Sequence, residues 1–198
     1  MKTVALMLMV LVGIAQAVEI GGNFGVNVTK WNPFDNGIEV EAFGDIAVFG
    51  NRITIMPKAG YTMLTYRTEE TTGNMTSTEN GSSGYTHAAI AAMFWPVRRG
   101  VFGLGVGPEL GLLYFGEHRG ILDNKMSVPA EVRIMAGGQV RGEWNVAEHF
   151  GINAGAKVGY TPETNLNVDQ VMYAHVRPYV DYFLLQLQIG AYYRFGKR

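Results

Sequence analysis

The sequence predicts an all-β fold, a transmembrane antiparallel up-and-down β-barrel. Apolar residues alternate with polar residues or glycine in many segments, which is the two-residue period of a β-strand. No stretch beyond residue 17 has the ~18 consecutive apolar residues of a spanning helix. Charged residues make up only 17% of the chain against 47% hydrophobic residues. So much apolar surface without a spanning helix indicates strands.

The N-terminal segment has the features of a secretory signal. Lys2 supplies a positive charge, residues 4–14 form an apolar core, and the A-Q-A sequence at residues 15–17 matches an A-x-A cleavage site. The core is far shorter than the ~20 residues of a spanning helix. We therefore predict a signal peptide over residues 1–17, cleaved on export by the Sec pathway, and one barrel domain over residues 18–198.

Eight segments of the mature chain show the alternation and predict one strand each. The first begins near residue 18, and the next six cover about residues 38–49, 53–66, 85–95, 101–115, 128–141 and 150–160. The last strand ends at Phe195.

The stretch "VFGLGVGPELGLLYF", residues 101–115, has the clearest pattern. Apolar residues stand at even positions from Phe102 to Tyr114, whereas the odd positions hold glycine and Glu109. A phosphate-binding glycine fingerprint would open a helix, and no helical pattern follows here. Twelve steps of ~3.3 Å at a tilt of ~45° span roughly 28 Å, close to the ~25 Å apolar band of an outer-membrane barrel. We therefore interpret the stretch as a membrane-crossing strand.

The last strand contains a change of phase. Apolar residues are even-numbered from Met172 to Val180 and odd-numbered after Phe183. Either a β-bulge near residues 181–182 or a turn between two strands produces such a change. Because bacterial single-chain barrels have even numbers of strands, we predict eight strands with a long, bulged last strand, and keep ten as the alternative.

The polar faces are predicted to form the barrel interior. The competing interpretation is a soluble sandwich or lipocalin-like barrel, but exposed strand faces disfavour glycine, whereas a narrow interior accepts it. Six acidic and five basic residues fall on these faces, close to the balance that a buried ionic network needs. They are Glu19, Glu39, Glu41, Asp45, Glu109 and Glu131 with Lys58, Arg133, Arg141, Lys157 and Arg194.

Aromatic residues are predicted to form girdles at the two membrane interfaces. The outer girdle contains Tyr61, Tyr114 and Tyr160, and the inner one contains Phe102, Phe150, Tyr193 and Phe195. Phe49, Trp144 and either Phe94 or Trp95 are also placed at the inner end. The connections assigned to the outer side are longer on average than the inner turns, and the one at residues 67–84 is predicted to be a mobile polar loop.

With these features the chain resembles the small outer-membrane β-barrel proteins of Gram-negative bacteria, the OmpA/OmpX/OmpW-like group. Its most specific local element is the terminal "QIGAYYRF", residues 188–195, which looks like an aromatic-ended final strand. The resemblance implies a monomer in the bacterial outer membrane that contacts lipid and lipopolysaccharide, and it implies assembly by the barrel assembly machinery. Residues 196–198 extend beyond the family pattern.

Three classes of function are compatible with the sequence. We favour a non-enzymatic barrel whose outer loops bind a surface ligand or support the envelope, with Trp31 and Phe34 as candidate anchors. The alternatives are a narrow conduit for small or apolar solutes, favoured by the glycines of residues 101–115, and a lipid-modifying enzyme that uses His87 with Ser82 or Ser83. With no cysteine, no metal-ligand spacing and a net charge of −1, we expect no cofactor, no metal and no nucleic-acid partner.

Overall fold

The structure, a computed structural model, describes most of the chain. Described residues are 18–28, 34–49, 52–72, 75–116, 118–119, 127–128, 131–162 and 182–195. The strands are β1 (Val18–Asn27), β2 (Phe34–Phe49), β3 (Ile53–Thr72), β4 (Met75–Arg99), β5 (Phe102–Phe115), β6 (His118–Arg119), β7 (Ser127–Val128), β8 (Glu131–Asn145), β9 (Phe150–Thr161) and β10 (Tyr182–Phe195).

Eight of these strands form one closed antiparallel barrel in the order β1-β10-β9-β8-β5-β4-β3-β2. Strands β6 and β7 form a separate two-stranded ribbon in the connection between β5 and β8. The predicted eight-stranded up-and-down barrel is therefore confirmed, and the ten-stranded alternative is wrong. The expected bulge falls largely on residues 163–181, outside the described residues, as do the signal segment, Trp31 and the tail after Phe195.

Alternation sorts the side chains between the two surfaces of the barrel. In β5 every even-numbered residue from Phe102 is exposed and every odd-numbered residue is buried. Ile20 is exposed beside buried Glu19, and Val40 is exposed between buried Glu39 and Glu41. The polar or glycine face therefore points inward and the apolar face outward, as the sequence predicts. Among the described residues, no helix is long and apolar enough to cross a membrane.

The predicted mobile loop at residues 67–84 is wrong. Strands β3 and β4 continue through this region as a regular hairpin, with paired residues from Arg67 and Asn80 to Thr72 and Met75. Its threonine-rich, polar composition suggested a loop, but threonine favours strands and Gly73-Asn74 is a two-residue hairpin signal. An extended hairpin thus stands at the end of the barrel where β3 leaves and β4 enters, which we call the upper end.

The boundaries of the sixth barrel strand also differ from the prediction. Val128 belongs to the small β6–β7 ribbon, where it pairs with His118, and the barrel strand β8 begins at Glu131. At its other end β8 continues to Asn145, past the predicted end at residue 141. The extension pairs Glu143 with Gly103 and Trp144 with Phe102, because β5 reaches equally far toward the lower end.

An ion-paired barrel interior as the candidate functional site

Buried side chains divide the interior into four layers along the barrel axis. From the upper end these are an upper apolar layer, a central ionic layer, a lower apolar layer and a lower ionic layer. The upper apolar layer comprises Leu64, Tyr85, Leu113, Phe115, Met135 and Leu184. The lower apolar layer comprises Phe43, Met56, Ala91, Met93, Trp95 and Tyr192. Their strand positions place these layers above and below the central charges.

Lys58 lies at the centre of the central ionic layer. Its Nζ atom donates to Glu109 Oε2 at 2.7 Å and to Gln139 Oε1 at 2.6 Å, and it lies 3.6 Å from Glu41 Oε1. The side chains of Lys58, Glu41 and Glu109 have 0% solvent exposure. The carboxylate of Glu109, which stands alone on the glycine face of β5, is therefore matched by a lysine from β3.

A second lysine, Lys157 from β9, completes the central layer. Its Nζ atom is 3.0 Å from Glu39 Oε1, 3.5 Å from Glu41 Oε2 and 3.9 Å from Glu109 Oε1. Gln188 donates to the same Glu39 oxygen at 3.0 Å. Two lysines and three carboxylates from four strands thus form one connected group, which satisfies charges that would be costly to bury alone.

His87 belongs to the central ionic layer. Its Nε2 atom lies 3.3 Å from Glu41 Oε2, and its Nδ1 atom lies 3.9 Å from Glu39 Oε2. The residue is 5% exposed. The side chains of Ser82 and Ser83 lie outside the described residues, but the His87 ring faces two buried carboxylates. This buried, ion-paired environment differs from that of a catalytic histidine that activates a serine at a lipid-accessible rim.

Arg98 organises the lower ionic layer. Its Nη2 atom is 2.6 Å from Asp45 Oδ2, 3.3 Å from Glu143 Oε2 and 3.4 Å from Glu19 Oε2. The guanidinium group also lies 4.0 Å from the centre of the Trp95 ring, within the range of a cation–π interaction. One arginine from β4 thereby connects three acidic residues from β1, β2 and β8.

Two further arginines complete the lower layer. Arg194 Nε donates to Glu19 Oε1 at 2.7 Å. Arg141 Nε lies 3.3 Å from Glu143 Oε1, and its guanidinium group stacks 4.0 Å from the Phe43 ring centre. The contact between Arg194 and Glu19 joins β10 to β1, so it lies at the seam where the first and last strands close the barrel.

The structure places most of the charged residues predicted for the interior inside the barrel. The buried residues of that set are Glu19, Glu39, Glu41, Asp45, Lys58, Glu109, Arg133, Arg141, Lys157 and Arg194. The side chain of Glu131 lies outside the described part of the chain. Arg133 lies in the upper part of β8, with its guanidinium group 5.7 Å from the Phe115 ring centre.

Two charged interior residues of the described strands were not predicted from the sequence, because both fall in segments that were interpreted as inner turns. Arg98 lies in "PVRRG" and Glu143 in "GEWNVAEH". In the structure β4 extends to Arg99 and β8 to Asn145, with a register shift in the pairing of β4 with β5 between Phe94 and Val97. That irregularity, next to Pro96, carries Arg98 back to the interior against the simple alternation.

The predicted girdle residues lie on the outer surface of the barrel. All are at least 38% exposed: Tyr61, Phe102, Tyr114, Phe150, Tyr160, Tyr193 and Phe195. Phe102 contacts Trp144 with 5.5 Å between ring centres, and Tyr193 contacts Phe195 with 4.9 Å. Of the two alternatives at residues 94 and 95, Phe94 is on the outer surface whereas Trp95 is buried inside the barrel.

The glycine face of β5 leaves little free space. A Cβ atom on Gly105 would lie 2.7 Å from the Trp95 ring, because that ring covers the glycine. At Gly103 the nearest side-chain atoms belong to Arg98 and Glu143, at 3.4 and 3.5 Å. Gly103 and Gly105 therefore make room for large side chains from neighbouring strands, contrary to the open lumen that the glycines suggested in the sequence.

Within the part of the chain that the structure describes, two groups of acidic or histidine side chains have the spacing that a metal ion needs. Glu39, Glu41 and His87 bring ligand atoms within 4.8 Å of one another, as do Glu19, Asp45 and Glu143. Lys58 and Lys157 neutralise the first group, and Arg98 neutralises the second. The protein's own cations therefore already balance the negative charge of both groups.

An apolar outer surface, an ion-paired interior and eight closed antiparallel strands define the class of small transmembrane-type β-barrels. Solved structures of this class share the fold. The N-terminal β-barrel domain of Pseudomonas aeruginosa OprF has a TM-score of 0.55 at 10% identity, over 91% of this chain and 98% of that one. Neisserial surface protein A also scores 0.55 at 10% identity, over 90% of this chain and 94% of that one. No family model and no curated protein matches the sequence. The predicted resemblance to the small outer-membrane barrels is confirmed for the fold.

Proposed function

We propose that the protein is a non-enzymatic, non-conducting β-barrel of the bacterial outer membrane that acts through its upper, cell-exterior end. The 0% exposure of the Lys58, Glu41 and Glu109 side chains carries this proposal. A water-filled conduit requires lumen side chains that are accessible to solvent, and these three charged groups are not accessible. An interior filled by side chains is also typical of eight-stranded barrels.

The layers of side chains in the interior support a lumen that is blocked to ions. An ion that moves along the axis would have to displace the upper apolar layer, break the contact between Lys58 and Glu109, and then pass Trp95 and Arg98. Apolar layers provide no groups that replace the hydration shell of an ion. The conduit alternative depended on space above the glycines of β5, and Trp95 occupies that space at Gly105.

Conductance of the purified protein in planar lipid bilayers tests this proposal. We expect no ion-conducting steps from the wild-type protein. The variant Trp95→Ala/Arg98→Ala removes the two large side chains over Gly105 and Gly103 but keeps the upper apolar layer and the Lys58–Glu109 contact, so we expect it not to conduct either. Regular single-channel steps from the wild-type protein would overturn the proposal and would favour the conduit.

The outer surface supports the proposed location in a lipid bilayer. Side chains such as Leu110, Val40 and Ile189 are 62–65% exposed, and they lie in a continuous apolar band between the girdle aromatics. Exposed apolar surface of this extent is unfavourable in water. We propose that this band contacts lipid and that the upper girdle lies next to lipopolysaccharide.

A location in the outer membrane also requires export and assembly. We propose that the signal peptide over residues 1–17 is removed after Sec export, leaving a barrel domain over residues 18–198. We also propose that the barrel assembly machinery inserts the chain and that the folded protein is a monomer. N-terminal sequencing of protein from the outer-membrane fraction should begin at Val18, and retention of Met1 would contradict the cleavage.

A further inference from the structure

The turn between β8 and β9 lies at the lower end of the barrel, beside aromatic residues of the inner girdle. The backbone N–H groups of Val146 and Ala147 both donate to the Phe150 carbonyl oxygen, at 3.0 and 2.9 Å. Two hydrogen bonds to one oxygen close the turn and orient its remaining residues, Glu148 and His149. Both of these residues are exposed.

The His149 ring is held on the outer surface by two contacts with β10. Its Nδ1 atom lies 3.2 Å from the Arg194 carbonyl oxygen, and the Arg194 N–H donates to the His149 carbonyl oxygen at 2.8 Å. The ring also stacks on Tyr193, with 5.8 Å between the ring centres and 26° between the ring planes. Because Tyr193 is 48% exposed on the outer surface, the imidazole ring lies on that surface as well.

The contact with Arg194 decides which ring nitrogen of His149 can accept a hydrogen bond from a ligand. A carbonyl oxygen only accepts hydrogen bonds, so the hydrogen of a neutral imidazole is assigned to Nδ1. The lone pair is then on Nε2, which bonds to no residue in the part of the chain that the structure describes. His149 thus provides an oriented hydrogen-bond acceptor at the lower end of the outer surface.

The exposed groups around this acceptor suit an ammonium ligand. Glu148 adds a carboxylate, and Tyr193 and Phe195 add aromatic rings with 4.9 Å between their centres. Carboxylates and aromatic faces both attract an ammonium group. The neighbouring cation on β10, Arg194, is only 7% exposed, and its Nε atom donates to Glu19 inside the barrel at 2.7 Å. The Arg194 side chain is therefore directed away from these outer groups.

The height of these groups matches the headgroup region of a bilayer. Phe150, Tyr193 and Phe195 belong to the inner girdle and are 45–51% exposed. Interfacial aromatic side chains lie at the level of the lipid headgroups. Glu148 and His149 directly precede Phe150 in the chain, so they lie where the headgroups of the periplasmic leaflet are within reach.

We propose that Glu148, His149 and Tyr193 form a binding site for a phospholipid whose headgroup ends in a primary ammonium group. The ammonium group donates to the Nε2 lone pair of His149 and to the Glu148 carboxylate, and it lies beside the Tyr193 ring. A quaternary ammonium headgroup has the same charge but no N–H donor, so it should bind less well. This inference rests on the proposed location in the outer membrane and adds a lipid ligand at the lower end.

Lipid retention tests the inference on the folded protein. The protein is reconstituted in nanodiscs with equal amounts of phosphatidylethanolamine and phosphatidylcholine that have identical acyl chains, and the lipids that stay bound on release are counted by native mass spectrometry. We expect about threefold to fivefold enrichment of phosphatidylethanolamine among the bound lipids. Equal retention of the two lipids would overturn the proposal. Stronger retention of phosphatidylglycerol in a matching mixture would also overturn it, because an anionic headgroup would then be the ligand.

Two substitutions locate the site. His149→Phe keeps an aromatic ring next to Tyr193 but removes both ring nitrogens, and Glu148→Gln removes the carboxylate charge. We expect each substitution to lower the enrichment and the double variant to abolish it, while the barrel stays folded because both residues are exposed. Trp144→Phe, which changes another exposed aromatic residue of the lower end, is the matched control and should leave the enrichment unchanged. Full enrichment in the double variant, or an equal loss in Trp144→Phe, would exclude this site.

The C-terminal tail is the alternative occupant of the site. Lys197 and Arg198 follow Phe195 in the sequence and are cations of the chain itself. A variant that ends at Phe195 should show the same enrichment as the wild-type protein. Enrichment that occurs only after removal of the tail would overturn the lipid in favour of the tail. A barrel that inserts into bilayers without any lipid preference contradicts this inference alone, whereas recovery from the soluble periplasm contradicts the proposed location.

Discussion

Lys58 balances carboxylates from two other strands, so the interior depends strongly on this single side chain. It contacts Glu109 at 2.7 Å and Glu41 at 3.6 Å, and none of the three side chains is exposed to water. A buried ion pair adds little net stability compared with apolar packing, but loss of one partner leaves an uncompensated charge. The consequences of removing one partner and of removing both should therefore differ.

We predict that Lys58→Met lowers the free energy of unfolding by about 3–5 kcal/mol, since Glu109 loses its nearest cation and Glu41 loses one of its two neighbouring lysines. The double variant Lys58→Met/Glu109→Gln should recover a large part of this loss, because it removes one of the unbalanced charges. Urea unfolding in detergent micelles, followed by tryptophan fluorescence, measures both. An unchanged stability of Lys58→Met would show that water reaches the central layer.

Arg98 has the same role at the lower end. Arg98→Met removes the cation shared by Asp45, Glu143 and Glu19, and we predict a loss of about 3–5 kcal/mol in the free energy of unfolding. Arg52, an exposed arginine in the neighbouring turn, provides the control. Arg52→Met should change stability by less than about 0.5 kcal/mol. Similar losses for the two variants would exclude a special role for Arg98.

At the scale of single elements, β5 shows how glycine is used inside the barrel. A Cβ atom on Gly105 would lie 2.7 Å from the Trp95 ring, whereas one on Gly103 would have its nearest neighbour at 3.4 Å. We predict that Gly105→Ala destabilises the barrel by about 1–3 kcal/mol through overpacking. Gly103→Ala should be neutral or slightly stabilising, because a strand favours alanine over glycine. The same unfolding assay compares them, and equal effects would show that Trp95 does not constrain position 105.

Sequence patterns predicted the regular elements well and the irregular ones poorly. In β5 alternation alone assigned every face, since the strand is regular and has one apolar side. Around Arg98, a register shift next to Pro96 interrupts the alternation, so the buried arginine was assigned to a turn. At residues 67–84 both alternating sets of residues are polar, so periodicity of hydrophobicity carries no signal there.

At the scale of the whole molecule, closure of the barrel should give kinetic resistance to detergent. Every barrel strand bonds to two neighbours, so no strand can be removed without breaking two ladders. We predict that the unheated protein migrates differently from boiled protein on a gel in dodecyl sulfate, and that it is recovered with the outer-membrane fraction. A single unshifted band from the soluble periplasm would contradict both the barrel and its location.

Sequence alone determined the strand class and the sorting of apolar and charged residues between the two faces, whereas the choice between eight and ten strands came from the structure. Each of these follows from a two-residue period within one segment, which needs no knowledge of other segments. Only the tertiary structure decided how the inward charges are combined. Lys58 meets Glu109 across 51 residues of chain, and Arg98 collects acids from three strands. Such contacts depend on the register of all eight strands around a closed barrel, which brings together residues that lie far apart in the sequence.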